Sequence, residues 1–132
     1  MRAVICLGIL SGSLGCAKDG DSDGADSGNL SAFDSMMTVF EESCGVGCHT
    51  GGSSFGGLAL DPGVAEANLI DMPSAGDSSW IRVVCGDAEQ SGLYQKLFRP
   101  APYGDPMPLG GPLSDGDIDT IRAWIESEEC GS

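Results

Sequence analysis

The chain has little of what most catalytic and nucleic-acid-binding proteins need. It contains a single histidine, His49, which excludes most histidine-based catalytic networks. Its 132 residues include 6 Lys and Arg against 20 Asp and Glu, a net charge of −14. Because phosphate binding needs a basic surface, nucleic acid is not an expected partner. No glycine-rich phosphate-binding loop followed by lysine is present, and the scattered carboxylates resemble a solvated face.

Long apolar runs are also missing. After the first 16 residues, no stretch approaches the roughly 20 apolar residues of a membrane-spanning helix. Residues 1–16 themselves have the pattern of an export signal, in which Arg2 precedes a short apolar run that ends before Cys16. Cys16 resembles the lipidated cysteine of bacterial lipoproteins, although Ser13 stands where that motif carries leucine. Ordinary signal cleavage is the alternative to lipidation.

Residues 17–29 carry four aspartates among glycines and serines and no large apolar side chain. Such a composition cannot bury surface and is typical of a flexible linker. We therefore expect an exported protein of the periplasm or cell envelope, attached to a membrane through lipid on Cys16. Residues 30–132 are then one domain, since about 100 residues suffice for one and not for two.

One hexapeptide, Cys44-Gly45-Val46-Gly47-Cys48-His49, is one residue longer than the Cys-x-x-Cys-His signature of c-type haem attachment. In such sites two cysteines link to the porphyrin and the histidine binds the iron. The glycines lower the cost of a bulged loop that absorbs the extra residue. Two other interpretations stay open. The cysteines are disulfide partners in a small exported protein, or they belong to a zinc site that recruits distant cysteines.

The role of the remaining cysteines depends on whether Cys44 and Cys48 bind haem. Of the chain's 6 cysteines, Cys6 would be removed with the signal and Cys16 would carry the lipid, which leaves four. If haem takes Cys44 and Cys48, then Cys85 and Cys130 are left as one disulfide, which would close a long loop and stabilise the fold by roughly 4 kcal/mol. Without haem, four cysteines allow three pairings that sequence cannot separate.

Apolar periodicity predicts an all-α domain of about four short helices joined by long Gly- and Pro-rich loops. One helix begins at the Ser31 cap and runs into Cys44, and another begins at Ser114. We expect these two to pack on each other. Shorter helices are predicted after the caps Asp61 and Ser91. No run of strict alternation is long enough to predict a sheet.

Several motifs in order resemble the planctomycete-type cytochrome c domain. They are the Cys-His site, Gly57-Leu58-Ala59-Leu60-Asp61, the helix from Ser91 to Leu97, Met107-Pro108, and Pro112-Leu113-Ser114 leading to Ile121-Arg122-Ala123-Trp124-Ile125. The resemblance spans about residues 39–125. It implies a single-haem class I cytochrome c fold, with one covalent haem c, thioethers at Cys44 and Cys48, and His49 and Met107 as axial ligands of the iron.

The prolines around Met107 restrict its loop, which favours presentation of a weak thioether ligand. Met72-Pro73 is a second Met-Pro pair and the alternative ligand. Arg82, Arg99 and Trp80 are candidate partners of haem propionates. The expected function is single-electron transfer without bond chemistry, to a redox partner with a basic docking face. The alternatives are a haem-free, disulfide-stapled lipoprotein binding module and a haem enzyme or sensor with an open iron site.

Overall fold

The computed structural model of the protein describes residues 30–52 and 54–132. The predicted signal, Cys16 and the predicted linker lie outside the described residues. The described part is helical and contains no strand, which confirms the all-α class. The elements are helix α1 (Ala32–Val39), a π-helical segment (Phe40–His49), a 3₁₀ turn (Phe55–Gly57), and helices α2 (Ala65–Leu69), α3 (Gly92–Gln95) and α4 (Asp115–Ile125).

Helices α1 and α4 begin where the sequence predicts. The Ser31 hydroxyl accepts a hydrogen bond from the Asp34 N–H at 3.0 Å, and the Ser114 hydroxyl accepts one from the Asp117 N–H at 3.1 Å. Each cap satisfies an amide that has no partner within its helix. The two helices pack on each other as expected, and the Phe33 and Trp124 rings meet with centroids 6.1 Å apart.

The core lies between α1, α4 and the segments that connect them. Its fully buried apolar members are Met36, Phe40, Leu60, Ala65, Leu69, Val83, Ala88, Ile121, Trp124 and Ile125. Half of them come from the two long helices that the sequence predicts, and the other half come from the segments between those helices. Burying these side chains supplies the main driving force for folding, about 1.5–3 kcal/mol for each large one.

Two predicted caps have other roles. Helix α2 begins at Ala65, because the Asp61 carboxylate accepts from the Gly51 N–H at 2.7 Å and does not cap the helix. Helix α3 follows Ser91, but the Ser91 side chain makes no capping bond to it. That hydroxyl is fully buried and binds the main chain of Val84 and Asp87.

A disulfide joins Cys85 to Cys130, with Cα atoms 5.5 Å apart. It ties the segment before α3 to the chain that follows α4. Beside it, the Gly86 N–H donates to the Ile125 carbonyl at 2.8 Å. Among residues 30–52 and 54–132, none of the helices has the length and apolarity needed to cross a bilayer.

Candidate haem-attachment site

The extra residue between the cysteines is accommodated by a widened helix. The α1 helix was expected to continue into Cys44, but from Phe40 to His49 the helix is of the π type. Its hydrogen bonds span five residues, as from the Thr50 N–H to the Gly45 carbonyl at 3.2 Å, and so enclose one more residue than α-helical bonds do. Cys44 and Cys48, four apart, therefore lie about one turn from each other, much as cysteines three apart do in an α-helix.

The two glycines serve different purposes. Gly47 has a φ of 78°, in the left-handed region that glycine enters at least cost. Gly45 is needed for space, because a Cβ there would lie 2.8 Å from the Thr50 Oγ1 and 3.1 Å from the Phe40 carbonyl oxygen. The glycine pair thus permits a closed helical turn, where the sequence had predicted a bulged loop.

The His49 ring is fixed by its main-chain neighbours. Its Nδ1 lies 2.9 Å from the Leu58 carbonyl oxygen. Because a carbonyl only accepts, Nδ1 carries a proton, so the ring nitrogen with a lone pair to offer a metal is Nε2. The Leu60 N–H donates to the His49 carbonyl at 2.6 Å, and Asp61 holds Gly51. The segment from Leu58 to Asp61 therefore fixes both the position and the tautomer of the imidazole.

The cysteines differ in their surroundings. Cys44 is half-buried against the core, whereas Cys48 is exposed, and both are thiols. Burial, the Asp117 carboxylate and the neighbouring Cys48 together raise the pKa of the Cys44 thiol to about 11. Cys44 is accordingly protonated at neutral pH, and a thiol in this state is a weak nucleophile and a poor metal ligand.

Met107 lies in an irregular stretch, the Met107 loop (residues 100–113). Its side chain is half-buried, and its N–H donates to the Lys96 carbonyl at 2.8 Å. Met72, the alternative ligand, is 41% exposed. An open surface depression of about 230 Å³ lies beside the Met107 loop and is lined by Ser43, Pro108, Gly110, Gly111, Pro112 and Leu113. Its lining includes neither Met107 nor any of Cys44, Cys48 and His49, so the depression places only their sequence neighbours Ser43 and Pro108 near each other.

The candidate propionate partners are engaged elsewhere. Arg82 donates to the carbonyls of Asn68 at 2.7 Å and Gly57 at 3.0 Å, and Arg99 donates to the Pro108 carbonyl at 2.8 Å. Trp80 stacks on Tyr103 with ring centroids 5.8 Å apart. Both arginines are therefore already bonded to main-chain carbonyl groups.

The donor set fits a covalent haem. Two thiols about one helical turn apart are followed at once by an imidazole whose Nδ1 bonds to the Leu58 carbonyl, which leaves Nε2 to face a ligand. In the described residues no three Cys, His, Asp or Glu side chains converge as ligands for a metal ion. Haem attachment does not require such convergence, because the sulfurs bind the porphyrin and the imidazole alone of these three groups binds iron.

Sequence reasoning missed Asp61 as an anchor for the loop after His49, and the Leu58 carbonyl as the partner of the imidazole. A main-chain acceptor leaves no signature of its own in a sequence, although Leu58 and Asp61 lie within one of the motifs that resemble the cytochrome domain. Comparison with protein-family models, curated proteins and solved structures finds no match for the chain in any of the three.

Proposed function

We propose that this protein is an exported single-haem c-type cytochrome that carries single electrons. The observation that carries the proposal is the hydrogen bond from His49 Nδ1 to the Leu58 carbonyl at 2.9 Å. It leaves Nε2 of the only histidine as the metal-binding atom, directly after two cysteines that share a widened helical turn. A histidine kept only for core packing would not need to follow such a cysteine pair.

In this proposal Cys44 and Cys48 form the thioethers, while His49 and Met107 are the axial ligands. A haem held this way supplies reversible one-electron chemistry at iron, and the thioether ligand raises its reduction potential. The chain's own residues position and shield that group. The Leu58 carbonyl orients the imidazole, the packed pair of α1 and α4 carries the π-helix, and the main chain of Lys96 holds Met107.

A class I cytochrome c fold is part of the same proposal. It is supported by the packing of α1 on α4, by the attachment motif directly after α1, and by a Met-Pro loop that leads into α4. The Cys85–Cys130 disulfide adds a closure that the attachment motif does not require. It constrains the unfolded chain of a small domain whose core is modest.

The proposed partner is a redox protein with a basic docking face. Residues 30–132 carry 16 Asp and Glu against four Lys and Arg, so long-range attraction would accelerate association with a cationic surface, and salt would weaken that attraction.

Lipid on Cys16 would hold the protein at a membrane of the periplasm or cell envelope. Replacing Cys16 with Ser should then release the protein from the membrane fraction.

The test is expression of the full chain together with a c-type haem attachment system. We expect a coloured product whose mass exceeds that of the polypeptide by one haem, and whose haem stays bound after heat denaturation. The variant with both Cys44→Ser and Cys48→Ser should lose the covalent haem. The matched control, with both Cys85→Ser and Cys130→Ser, should keep it if it folds, because it removes the same number of sulfurs elsewhere.

A colourless product from a host that matures other c-type cytochromes would overturn the proposal. Peptide mapping would then decide for the alternative, a haem-free disulfide-stapled binding module, if Cys44 were joined to another cysteine. A coloured product that binds added ligands without displacing Met107 would instead indicate an open-site haem enzyme or sensor.

A further inference from the structure

Three of the four basic side chains in residues 30–132 bind main-chain carbonyl groups. Arg82 binds Asn68 and Gly57, Lys96 binds Tyr103, and Arg99 binds Pro108. Among the described residues, Arg122 alone forms ion pairs, with Glu126 at 3.0 Å and Glu89 at 3.7 Å. In a domain with so many carboxylates, the basic side chains would ordinarily be expected to form surface salt bridges. Lys96 and Arg99 instead donate to the same segment of chain.

That segment is the Met107 loop. The Lys96 Nζ donates to the Tyr103 carbonyl at 3.1 Å and lies 4.7 Å from the centre of the Tyr103 ring. The Arg99 Nη2 donates to the Pro108 carbonyl at 2.8 Å, and the Lys96 carbonyl accepts from the Met107 N–H at 2.8 Å. The Met107 N–H and the carbonyl of the next residue, Pro108, are therefore both attached to residues 96–99, which follow α3.

The loop's composition explains why it needs outside donors. Five of the chain's 7 prolines lie between residues 100 and 112. Proline has no N–H, so the loop can form few hydrogen bonds within itself. Lys96 and Arg99 supply cationic donors in their place, and hydrogen bonds to charged groups are stronger than neutral ones.

We propose that Lys96 and Arg99 form a clamp that positions Met107 on the haem iron and keeps small molecules from taking its place. This inference rests on the proposed function and adds to it the residues that control access to the sixth coordination position. A thioether is a weak ligand, so the free energy of holding its loop decides how readily an added ligand competes. Both residues act through the loop and touch no reacting atom, and are therefore positioning residues.

The test uses the haem-loaded full chain and imidazole as the competing ligand of oxidised iron. Loss of one hydrogen bond from an exposed charged donor, as in Arg99→Ala, should raise the apparent imidazole affinity about 3- to 10-fold. Arg99→Lys should restore part of the effect, because it keeps a cationic donor. Arg122→Ala, which removes an arginine that binds no loop carbonyl, should match the parent protein.

A second readout is independent of the iron. Amide hydrogen exchange at Met107 reports opening of its bond to Lys96, and it should accelerate about 3- to 10-fold in Arg99→Ala and stay unchanged in Arg122→Ala. The exchange measurement also separates a loosened loop from a general loss of stability, which would accelerate exchange in α1 and α4 as well.

The outcomes separate the two proposals. A haem-loaded Arg99→Ala protein with unchanged imidazole affinity and unchanged Met107 exchange would overturn the clamp and leave the cytochrome standing. A chain that never acquires haem would overturn the proposed function and, with it, the clamp. If Met107→Ala binds imidazole no better than the parent, Met107 is not the ligand and the clamp has no role at the iron.

Discussion

Gly45 and Thr50 approach so closely that no side chain fits between them. A Cβ built on Gly45 would lie 2.8 Å from the Thr50 Oγ1 and 3.1 Å from the Thr50 Cγ2. Their main chains are joined by the 3.2 Å bond that closes the π-helix. The turn that holds the two cysteines thus depends on the absence of a side chain at Gly45.

Replacing Gly45 with Ala should distort this turn. The new methyl group meets the Phe40 carbonyl oxygen at 3.1 Å, and main chain cannot rotate away as a flexible side chain can. We expect a loss of about 1–3 kcal/mol in the free energy of unfolding, measured by urea denaturation, and a lower yield of covalent haem. Gly116→Ala is the matched control, because its Cβ would meet only the Ser114 Oγ, at 3.8 Å. Equal stability of the two variants would contradict the packing at Gly45.

Cys44 should react slowly with alkylating reagents in protein prepared without haem. Its pKa is raised to about 11 by burial, by Asp117 and by Cys48, so little thiolate is present at pH 8. Asp117→Asn removes a negative charge that opposes ionisation, and it should lower the pKa and accelerate alkylation of Cys44, followed by mass spectrometry across pH. Asp119→Asn, on the same helix, is the control. An unchanged rate in Asp117→Asn would show that the carboxylate does not act on the thiol.

The same shift predicts how stability depends on pH. The native thiol holds its proton more tightly than the unfolded chain, whose cysteine has an ordinary pKa near 9.0. This contribution to the free energy of unfolding is complete below pH 9 and falls as the pH rises toward 11. Cys44→Ser should flatten that part of the urea-measured profile. If the free energy of unfolding of Cys44→Ser falls equally steeply between pH 9 and 11, groups other than Cys44 cause the fall.

Ser91 should be more important for stability than a surface serine. Its buried hydroxyl accepts from the Val84 N–H at 2.9 Å and donates to the Asp87 carbonyl at 2.8 Å. Ser91→Ala leaves those main-chain groups without this partner, which should cost about 1–3 kcal/mol in urea unfolding. Ser79→Ala, which removes an exposed hydroxyl bonded to Asp77, should change stability by less than about 0.5 kcal/mol. If Ser91→Ala and Ser79→Ala lower the free energy of unfolding by the same amount, the buried hydrogen bonds of Ser91 do not contribute to stability.

The parts of the fold that depend on local sequence were predictable. Ser31 and Ser114 cap helices in the structure as their sequence contexts predict, and the apolar stripes of α1 and α4 form the core. These features follow from interactions within four residues and from a regular period. Asp61 and Ser91 have equally good local patterns for a cap, yet tertiary partners at Gly51 and Val84 take their side chains.

For the candidate site, the sequence offers the residue types but not the backbone that arranges them. The cysteines and His49 can be read from the hexapeptide, but the π-helix depends on a bond from Thr50 to Gly45, and the imidazole depends on the Leu58 carbonyl. Every residue has the same main-chain carbonyl, so the fold decides which carbonyl accepts a given hydrogen bond. The partner of Arg99 was unpredictable for the same reason. Its guanidinium donates to a carbonyl of the Met107 loop and, within the part of the chain that the structure describes, forms no ion pair with an acidic side chain.

Trp124 offers a last test, at the centre of the helix pair. Its side chain is fully buried, but its Nε1 has no hydrogen-bond partner among the described residues. Trp124→Phe removes this unsatisfied donor and keeps a ring beside Phe33, so the smaller cavity and the relieved desolvation should partly cancel. We expect a cost of about 1–2 kcal/mol, against about 3–5 kcal/mol for Trp124→Ala, both from urea unfolding. Phe33→Leu is the matched control for loss of the ring contact alone. If Trp124→Phe costs as much as Trp124→Ala, the expected gain from removing the unsatisfied N–H and keeping a ring beside Phe33 is contradicted.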